Sequence, residues 1–366
     1  MTAATNGKRP IIYLAATGHG FGHAVRISTV ANAILNLCPD SLIIMATTAP
    51  RWLLESYISG DFIYRPMAFD VGVIQSDSFK MDKIATLKKV QELYDKREWL
   101  MAGEINFLKT NQVDLILADI PPLMAPIAKL AGIPCWMMSN FGWDFIYEPW
   151  GQEWQGIVEW IKECYQQCDR LFRLPMAEPM SGFNSITDVG LTKGSSRYQI
   201  DDLRDKFNLT ASREKTILLT FGGLGLQQIP YANLAQFSDW QFITLDAKAP
   251  DLDNIIKVTD SAYRPFDFMP LCSRVVSKPG FSTFSETMCL DIPIVSLMRN
   301  DFAETAFLLE GIRNYADHQI VEIDNFFAGS WDFLKEDPHP PKIGKVLAKD
   351  GSEIIAKAVL DRVNKN

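Results

Sequence analysis

The chain has 366 residues, 47% of them hydrophobic and 22% charged, which is too long for one ordinary core and fits two domains of roughly 150–200 residues each. Its 36 basic and 44 acidic residues leave a net charge of −8, which argues against a broad nucleic-acid footprint and a strongly basic membrane-docking surface. No apolar run is long enough to span a bilayer.

Ile11–Ala16 is a short apolar run bounded by glycine, the pattern of a buried parallel strand. The glycine-rich loop Gly18-His19-Gly20-Phe21-Gly22-His23 follows, and Val25–Leu37 is apolar at helical spacing. A strand is predicted over Leu42–Ala46, a short helix over Arg51–Ile58 and a long charged amphipathic helix over Asp82–Thr110. Further buried strands are predicted at Val113–Ala118 and Pro134–Met138. Residues 175–200 are rich in Pro, Gly, Ser and Thr without periodicity, which predicts a linker. A second series begins with a strand at Thr216–Phe221, running into Gly222-Gly223-Leu224-Gly225. Strands at Gln241–Leu245, Arg274–Ser277 and Ile292–Leu297 follow, and Ile343–Val363 reads as one closing helix. Alternating strands and helices imply parallel sheets, hence an α/β protein of two halves, 1–174 and 201–342, with 343–366 as a C-terminal helix. Two such halves facing each other form a cleft, and ligands of open α/β sheets bind outside the carboxyl ends of the strands.

The six cysteines, Cys38, Cys135, Cys164, Cys168, Cys272 and Cys289, are scattered through apolar stretches without a disulfide framework. Cys164 and Cys168 stand one helical turn apart, but no second ligand pair lies nearby. The polar start before Ile11 has no secretory core. These features predict reduced structural thiols and a cytoplasmic protein.

Of the four histidines, His19 and His23 fall in the loop after the first strand. The glycines there, Gly22 among them, let the backbone approach a ligand and open a helix whose N-terminus favours anions. The residues read either as a tight turn with surface histidines or as a binding loop with a general base, since imidazole titrates near neutral pH. Asp119 ends the Val113–Ala118 strand and is a candidate to orient such a base. A dinucleotide oxidoreductase is disfavoured. His23 stands where its fingerprint has a third glycine, and the second strand ends in Thr47-Thr48 rather than an acid.

In the second half, Lys278-Pro279-Gly280-Phe281-Ser282-Thr283 joins a strand to a helix. A helix N-terminus with Gly, Ser and Thr suits a diphosphate, Lys278 adds charge, and Glu286 can accept both hydroxyls of a ribose. Equally, Thr283 and Glu286 have the spacing of a plain capping box. Asp251-Leu252-Asp253 has the letters of a metal-binding Asp-x-Asp, but it lies in a polar loop and reads as coincidence. Five of the nine tryptophans, Trp136, Trp143, Trp150, Trp154 and Trp160, are close in sequence. They read as core packing, as an acceptor pocket that stacks sugars, or as an edge resting on a membrane.

Gly18-His-Gly-Phe-Gly-His-Ala-Val-Arg26, Ser139-Asn-Phe-Gly-Trp-Asp-Phe-Ile-Tyr147, and Lys278-Pro-Gly-Phe-Ser-Thr-Phe-Ser-Glu286 running on to Arg299-Asn-Asp-Phe-Ala-Glu304 resemble the glycosyltransferase-like N-terminal half of L-arabinokinases. More distantly, the chain is similar to glycosyltransferase family 28. The resemblance spans about residues 10–315. It implies the GT-B fold, two Rossmann-like domains, with a nucleotide sugar held mainly by the C-terminal one. It further implies that His23 is catalytic, that Gly222 and Gly223 lie by the diphosphate, and that the Phe266 backbone reads the uracil. Glu286 would hold the ribose, and Asp301 and Glu304 the sugar hydroxyls. Family 28 carries glutamines in the 301–304 segment where this chain has Asp301, Ala303 and Glu304, which leaves the sugar open. The kinase half is not in this sequence, and Gly190-Leu-Thr-Lys-Gly-Ser195 does not fit a phosphate-binding Walker loop.

The expected function is transfer of a hexose from a UDP-sugar to an unknown sugar, lipid or small-molecule acceptor, inverting and metal-independent. His23 and Asp119 would be catalytic, with acceptor contacts from His19, Asn140, Trp143 and Asp144. No cofactor is expected beyond the donor, no nucleic-acid partner, and membrane contact only at the periphery. The alternatives are a nucleotide-sugar epimerase or hydrolase on the same fold, and a sugar-nucleotide-binding protein without catalysis.

Overall fold

The computed structural model describes residues 9–75, 81–222, 226, 229–299 and 301–365. The chain divides into two compact units, one built from residues up to 74, 81–192 and 348 onward, the other on Lys193–Leu347.

The first unit comprises β1 (Ile11–Ala16), α1 (Gly22–Leu37), β2 (Leu42–Ala46), α2 (Arg51–Tyr57), β3 (Phe62–Arg65), α3 (Lys83–Thr110), β4 (Leu115–Asp119), α4 (Met124–Ala131), β5 (Cys135–Ser139), α5 (Trp143–Tyr147), α6 (Gln155–Tyr165), β6 (Arg170–Arg173) and β7 (Ile186–Asp188). Its strands form one sheet in the order β3-β2-β1-β4-β5-β6-β7, every pair parallel. Helices cover such a sheet on both faces, so Ile12, Tyr13, Leu14, Ile43, Ile44, Leu115, Ile116 and Leu117 all have 0% exposure. This is why the strands read as unbroken apolar runs rather than alternating ones. The predicted strands match within two residues. The 175–200 stretch differs from a simple linker, because Ile186–Asp188 pairs with β6 as an exposed edge strand. All three of its residues face solvent, so no buried apolar run marks it in the sequence.

Helix α1 is buried almost all round. Its polar residues are tied off inside: Thr29 Oγ1 donates to the Arg26 carbonyl at 2.7 Å and lies 2.9 Å from Ser352 Oγ. Asn32 Oδ1 accepts from the Ser59 amide and hydroxyl at 3.0 and 2.7 Å. Helix α3 begins where Asp82 caps the Ala85 amide at 2.8 Å.

The second unit comprises α7 (Ile200–Lys206), β8 (Thr216–Thr220), β9 (Gln241–Thr244), β10 (Ile255–Lys257), α8 (Pro265–Phe268), β11 (Arg274–Ser277), α9 (Phe281–Cys289), β12 (Ile294–Leu297), α10 (Glu304–Tyr315), β13 (His318–Val321) and α11 (Ile323–Ala328). The sheet order is β10-β9-β8-β11-β12-β13, again all parallel. Ile217, Leu219 and Val276 pack into one cluster, while Leu218 and Val275 pack into another. Alternate residues therefore face opposite layers, both of them filled.

Helix α12 (Gly351–Val363) is shorter than the predicted 343–363. The chain before it is held extended, with the Ala348 carbonyl accepting from Leu191 N at 2.7 Å and Gly351 N donating to the Leu191 carbonyl at 2.9 Å. A Cβ on Gly351 would lie 2.1 Å from the Gly190 carbonyl oxygen, so only glycine admits this approach. Through this tether and the Thr29–Ser352 contact, α12 belongs to the first unit. All six cysteines are free thiols, five of them buried. No helix among the described residues is long and apolar enough to cross a membrane.

Candidate active site

In each sheet the chain starts in the middle, fills one edge, and returns to fill the other. The strand order therefore reverses between β1 and β4, and between β8 and β11. Ligand sites of open α/β sheets form beyond the carboxyl ends of such strands.

At the first switch point, Ala16 pairs with Asp119 across β1 and β4. The glycine loop leaves β1, turns through Gly20 at φ 65°, and starts α1 at Gly22 with no acidic residue in the first turn. His23 is 5% and Asp119 0% exposed, and His23 Nδ1 lies 2.9 Å from Asp119 Oδ1. Arg26, one turn along the same helix face, donates through Nε to Asp119 Oδ2 and through Nη2 to Oδ1 at 2.6 Å. The guanidinium also donates to Asn140 Oδ1 at 2.6 Å and to Ser139 Oγ at 2.8 Å.

Burial raises the proton affinity of the Asp119 carboxyl, but the adjacent Arg26 guanidinium and the His23 ring outweigh it and hold the group below its usual range. Asp119 is thus an ionised acceptor. We assign the His23 proton to Nδ1 on that basis, which leaves the Nε2 lone pair available. Arg26 Nη2 also lies 3.0 Å from Nδ1, but a protonated Nδ1 cannot accept, and Nη2 already serves Asp119 and Ser139. Burial lowers the His23 pKa, Asp119 opposes that, and Arg26 adds to it, for a net lowering. The ring is neutral at neutral pH, the state a general base requires.

An aromatic wall stands beside His23. Its ring is edge-on to Phe141 at 5.5 Å and tilted to Trp143 at 6.2 Å. Trp143 is edge-on to His19 at 5.4 Å and stacked on Tyr147 at 5.7 Å. Of the residues expected to meet an acceptor, His19 and Trp143 join this wall. Asn140 is engaged by Arg26. Asp144 turns elsewhere: Cβ atoms on Gly142 and Gly182 would lie 2.2 and 3.2 Å from its carboxylate oxygens, and burial pushes its pKa up. Trp136, Trp150 and Trp154 are buried and Trp160 half-buried, so the tryptophan cluster is chiefly core.

At the second switch point, Thr220 pairs with Ser277 across β8 and β11. Gly222 turns at φ 74°, and a Cβ there would lie 3.3 Å from Lys278 Cε, so the lysine side chain crosses the end of β8. Gly223 lies outside the described residues. Burial lowers Lys278 to a pKa of about 8, with Arg299 adding to the shift and Glu304 opposing it. Helix α9 starts from Gly280, which offers no side-chain cap. Ser282 and Thr283 sit half-buried in its first turn. Thr283 is therefore inside the helix rather than at its N-cap, and the capping-box reading does not describe this helix. Glu286 is 4% exposed one turn further on.

Phe266 lies in α8 with its ring buried in the core, so only its backbone can face a ligand. Asp301 accepts from Arg299 Nε at 2.8 Å, and Glu304 opens α10, half-buried. Asp251 pairs with Lys257 on the surface. Among the described residues no group of three or more His, Cys, Asp and Glu is arranged to hold a metal ion.

Sequence reasoning gave no role to three residues near these points: Arg26 and Arg299, which stood only at the ends of motifs, and Asp70. Arg26 was detectable as the helical neighbour of His23. Arg299 is 5% exposed, 4.8 Å over the Phe302 ring. Asp70 lies in a loop without any motif.

No protein-family model matches the chain. It is 30% identical over 310 residues to the L-arabinokinase of Arabidopsis thaliana, which covers 82% of this chain and 29% of that protein. It spans, in other words, under a third of that relative. Among solved structures, the kitacinnamycin glycotransferase superposes with a TM-score of 0.61 at 14% identity, covering 97% of this chain and 100% of the other. A UDP-glucosyltransferase from Polygonum tinctorium gives 0.60 at 12%, covering 99% and 100%. UGT89C1 of Arabidopsis thaliana, complexed with UDP, gives 0.58 at 14%, covering 97% and 100%. Two parallel sheets of matching strand order, together with these likenesses, establish that the chain has the GT-B fold of the glycosyltransferases, two Rossmann-like domains, and is similar over most of its length to a segment of L-arabinokinase.

Proposed function

We propose that the protein transfers a hexose from a UDP-sugar to an acceptor hydroxyl, with inversion and without a metal. The observation that carries this reading is the buried His23–Asp119 pair at the first switch point, with Nε2 of a neutral ring available. In the proposed reaction His23 Nε2 takes the acceptor hydroxyl proton, and Asp119 stabilises the imidazolium that forms. The acceptor oxygen then bonds to the anomeric carbon. The bond from that carbon to the diphosphate breaks, and its electron pair leaves with UDP.

The second unit supplies the groups for the donor. Gly222, Gly280, Ser282, Thr283 and the N-terminus of α9, with Lys278, suit the departing diphosphate. Glu286 suits the ribose, the Phe266 backbone the base, and Asp301 and Glu304 the sugar hydroxyls. Structural neighbours crystallised with UDP and UDP-L-rhamnose support a UDP-linked donor.

A thermal-shift panel of UDP-, GDP-, ADP- and dTDP-sugars tests the donor, because a ligand that binds only the folded state raises the melting temperature. UDP and one UDP-sugar are expected to shift it, and no shift with any nucleotide refutes the reading. His23→Ala is expected to keep the nucleotide shift and lose about 10²–10⁴ in turnover. Turnover of the sugar nucleotide without acceptor assigns an epimerase or hydrolase instead. Transfer unaffected by His23→Ala removes the proposed base.

A further inference from the structure

The loop after β3 contains a buried carboxyl that the mechanism above does not use. Asp70 is 8% exposed and lies beside the glycine loop, faced by the Thr17 hydroxyl and the Gly18 amide. Its Oδ2 accepts from Trp143 Nε1 at 2.9 Å. The same short loop holds the neighbouring rings. Tyr147, stacked on Trp143, donates to the Gly72 carbonyl at 2.6 Å, and His19 Nδ1 lies 3.2 Å from both Val73 N and Val73 O. Residues 70–73 thus anchor three rings of the wall beside His23.

We propose that Asp70 is a positioning residue of the acceptor site: its carboxylate holds the Trp143 indole beside the His23 ring, and its charge sets how firmly the wall receives an acceptor. The proposal deepens, and rests on, the glycosyl-transfer reading. A hydrogen bond to an ionised carboxylate is roughly twice as strong as one to a neutral group, so protonating Asp70 loosens the indole.

The surroundings make that protonation accessible. The cavity lined by Asp70, Trp143 and Tyr147 measures about 10 Å³, room for at most about one water molecule. Burial raises Asp70 to about 7. The Trp143 hydrogen bond and the nearby Thr17 hydroxyl and Gly18 amide oppose the rise, and Asp119 on β4 adds to it. The other ionisable groups facing Asp70 are the Tyr147 phenol of α5 and the Tyr165 phenol of α6, both held neutral by burial. The two acid limbs then separate. Acceptor KM rises as pH falls through the Asp70 midpoint near 7, whereas kcat falls only below the ordinary histidine range, where His23 titrates.

The test uses protein labelled with 5-fluorotryptophan, with the Trp143 resonance assigned by Trp143→Phe. The expected result is a ¹⁹F shift of Trp143 titrating with a midpoint near 7, absent in Asp70→Asn. In kinetics, Asp70→Asn is expected to raise acceptor KM at pH 8 by about fivefold and to remove the KM limb while keeping the kcat limb. Trp143→Phe must remove the same KM limb. A Trp143 resonance that does not titrate near neutrality, or that titrates equally in Asp70→Asn, overturns the proposal. So does a KM limb that survives both substitutions. A normal fluorine titration in a protein that transfers no sugar refutes the transferase reading instead and leaves the Asp70–Trp143 coupling standing.

Discussion

Asp119→Asn tests whether the buried charge cluster, and not shape alone, organises the first switch point. Asp119 is fully buried and accepts from both the Arg26 guanidinium and His23. Asparagine keeps the size and removes the charge, leaving the 2%-exposed Arg26 without its counter-ion. Removing one partner of a buried ion pair costs about 3–5 kcal/mol, whereas replacing both by apolar groups is often nearly neutral. The expected order is therefore specific. Asp119→Asn and Arg26→Met should each destabilise the first unit by about 3–5 kcal/mol, and the double variant that carries both by clearly less than the two singles combined. The assay is denaturant unfolding followed by tryptophan fluorescence, since much of that signal comes from residues 136–160 of this unit.

The pH dependence has a definite sign. Asp119 has a folded-state pKa below its unfolded value, so its contribution is present above the unfolded pKa and is lost as pH falls through the folded one. His23 also has a lowered folded pKa. The unfolded chain therefore binds its proton first, and stability declines as pH drops from about 6.5. Asp119→Asn should remove the first of these effects. Asp119→Asn within about 1 kcal/mol of wild type, or singles that simply add in the double, would refute the reasoning.

Three further outcomes follow from the same geometry. Glu286→Ala should weaken UDP binding by about 1–3 kcal/mol in titration calorimetry, and unchanged affinity removes Glu286 from the nucleotide site. Since burial lowers the Lys278 pKa to about 8, a bound diphosphate should raise it. UDP binding around that pH should then take up protons, read as a dependence of the calorimetric heat on buffer ionisation enthalpy; no uptake would take Lys278 away from the diphosphate. Gly351→Ala would put a Cβ against the Gly190 carbonyl and should free α12 from the first unit. Hydrogen exchange should show lost protection at 351–363, while unchanged protection would mean the tether does not hold the helix.

The amino-acid sequence by itself determined the class of fold and the location of both candidate sites. Strands buried on both faces appear as continuous apolar runs, so β1, β2, β4, β5, β8, β9, β11 and β12 were legible, and so were the glycine turns beyond β1, β8 and β11. His23 and Asp119 were detectable because each ends or follows such a run. The short strands β3, β6, β7, β10 and β13 were not legible. Each has half-buried or exposed positions among its three or four residues, so none shows the continuous apolar run that marks the equally short but fully buried β11 and β12.

Only the tertiary structure decided which side chains meet. It directs Asp144 toward Gly142 and Gly182 and engages Asn140 with Arg26. It also brings Asp70 to Trp143 across 73 residues of sequence, and α12 to α1 across 323. Local propensity is written in neighbours three or four apart. A buried carboxylate finds its partners wherever the fold delivers a donor, because leaving it unpaired away from water costs more than any local preference can recover.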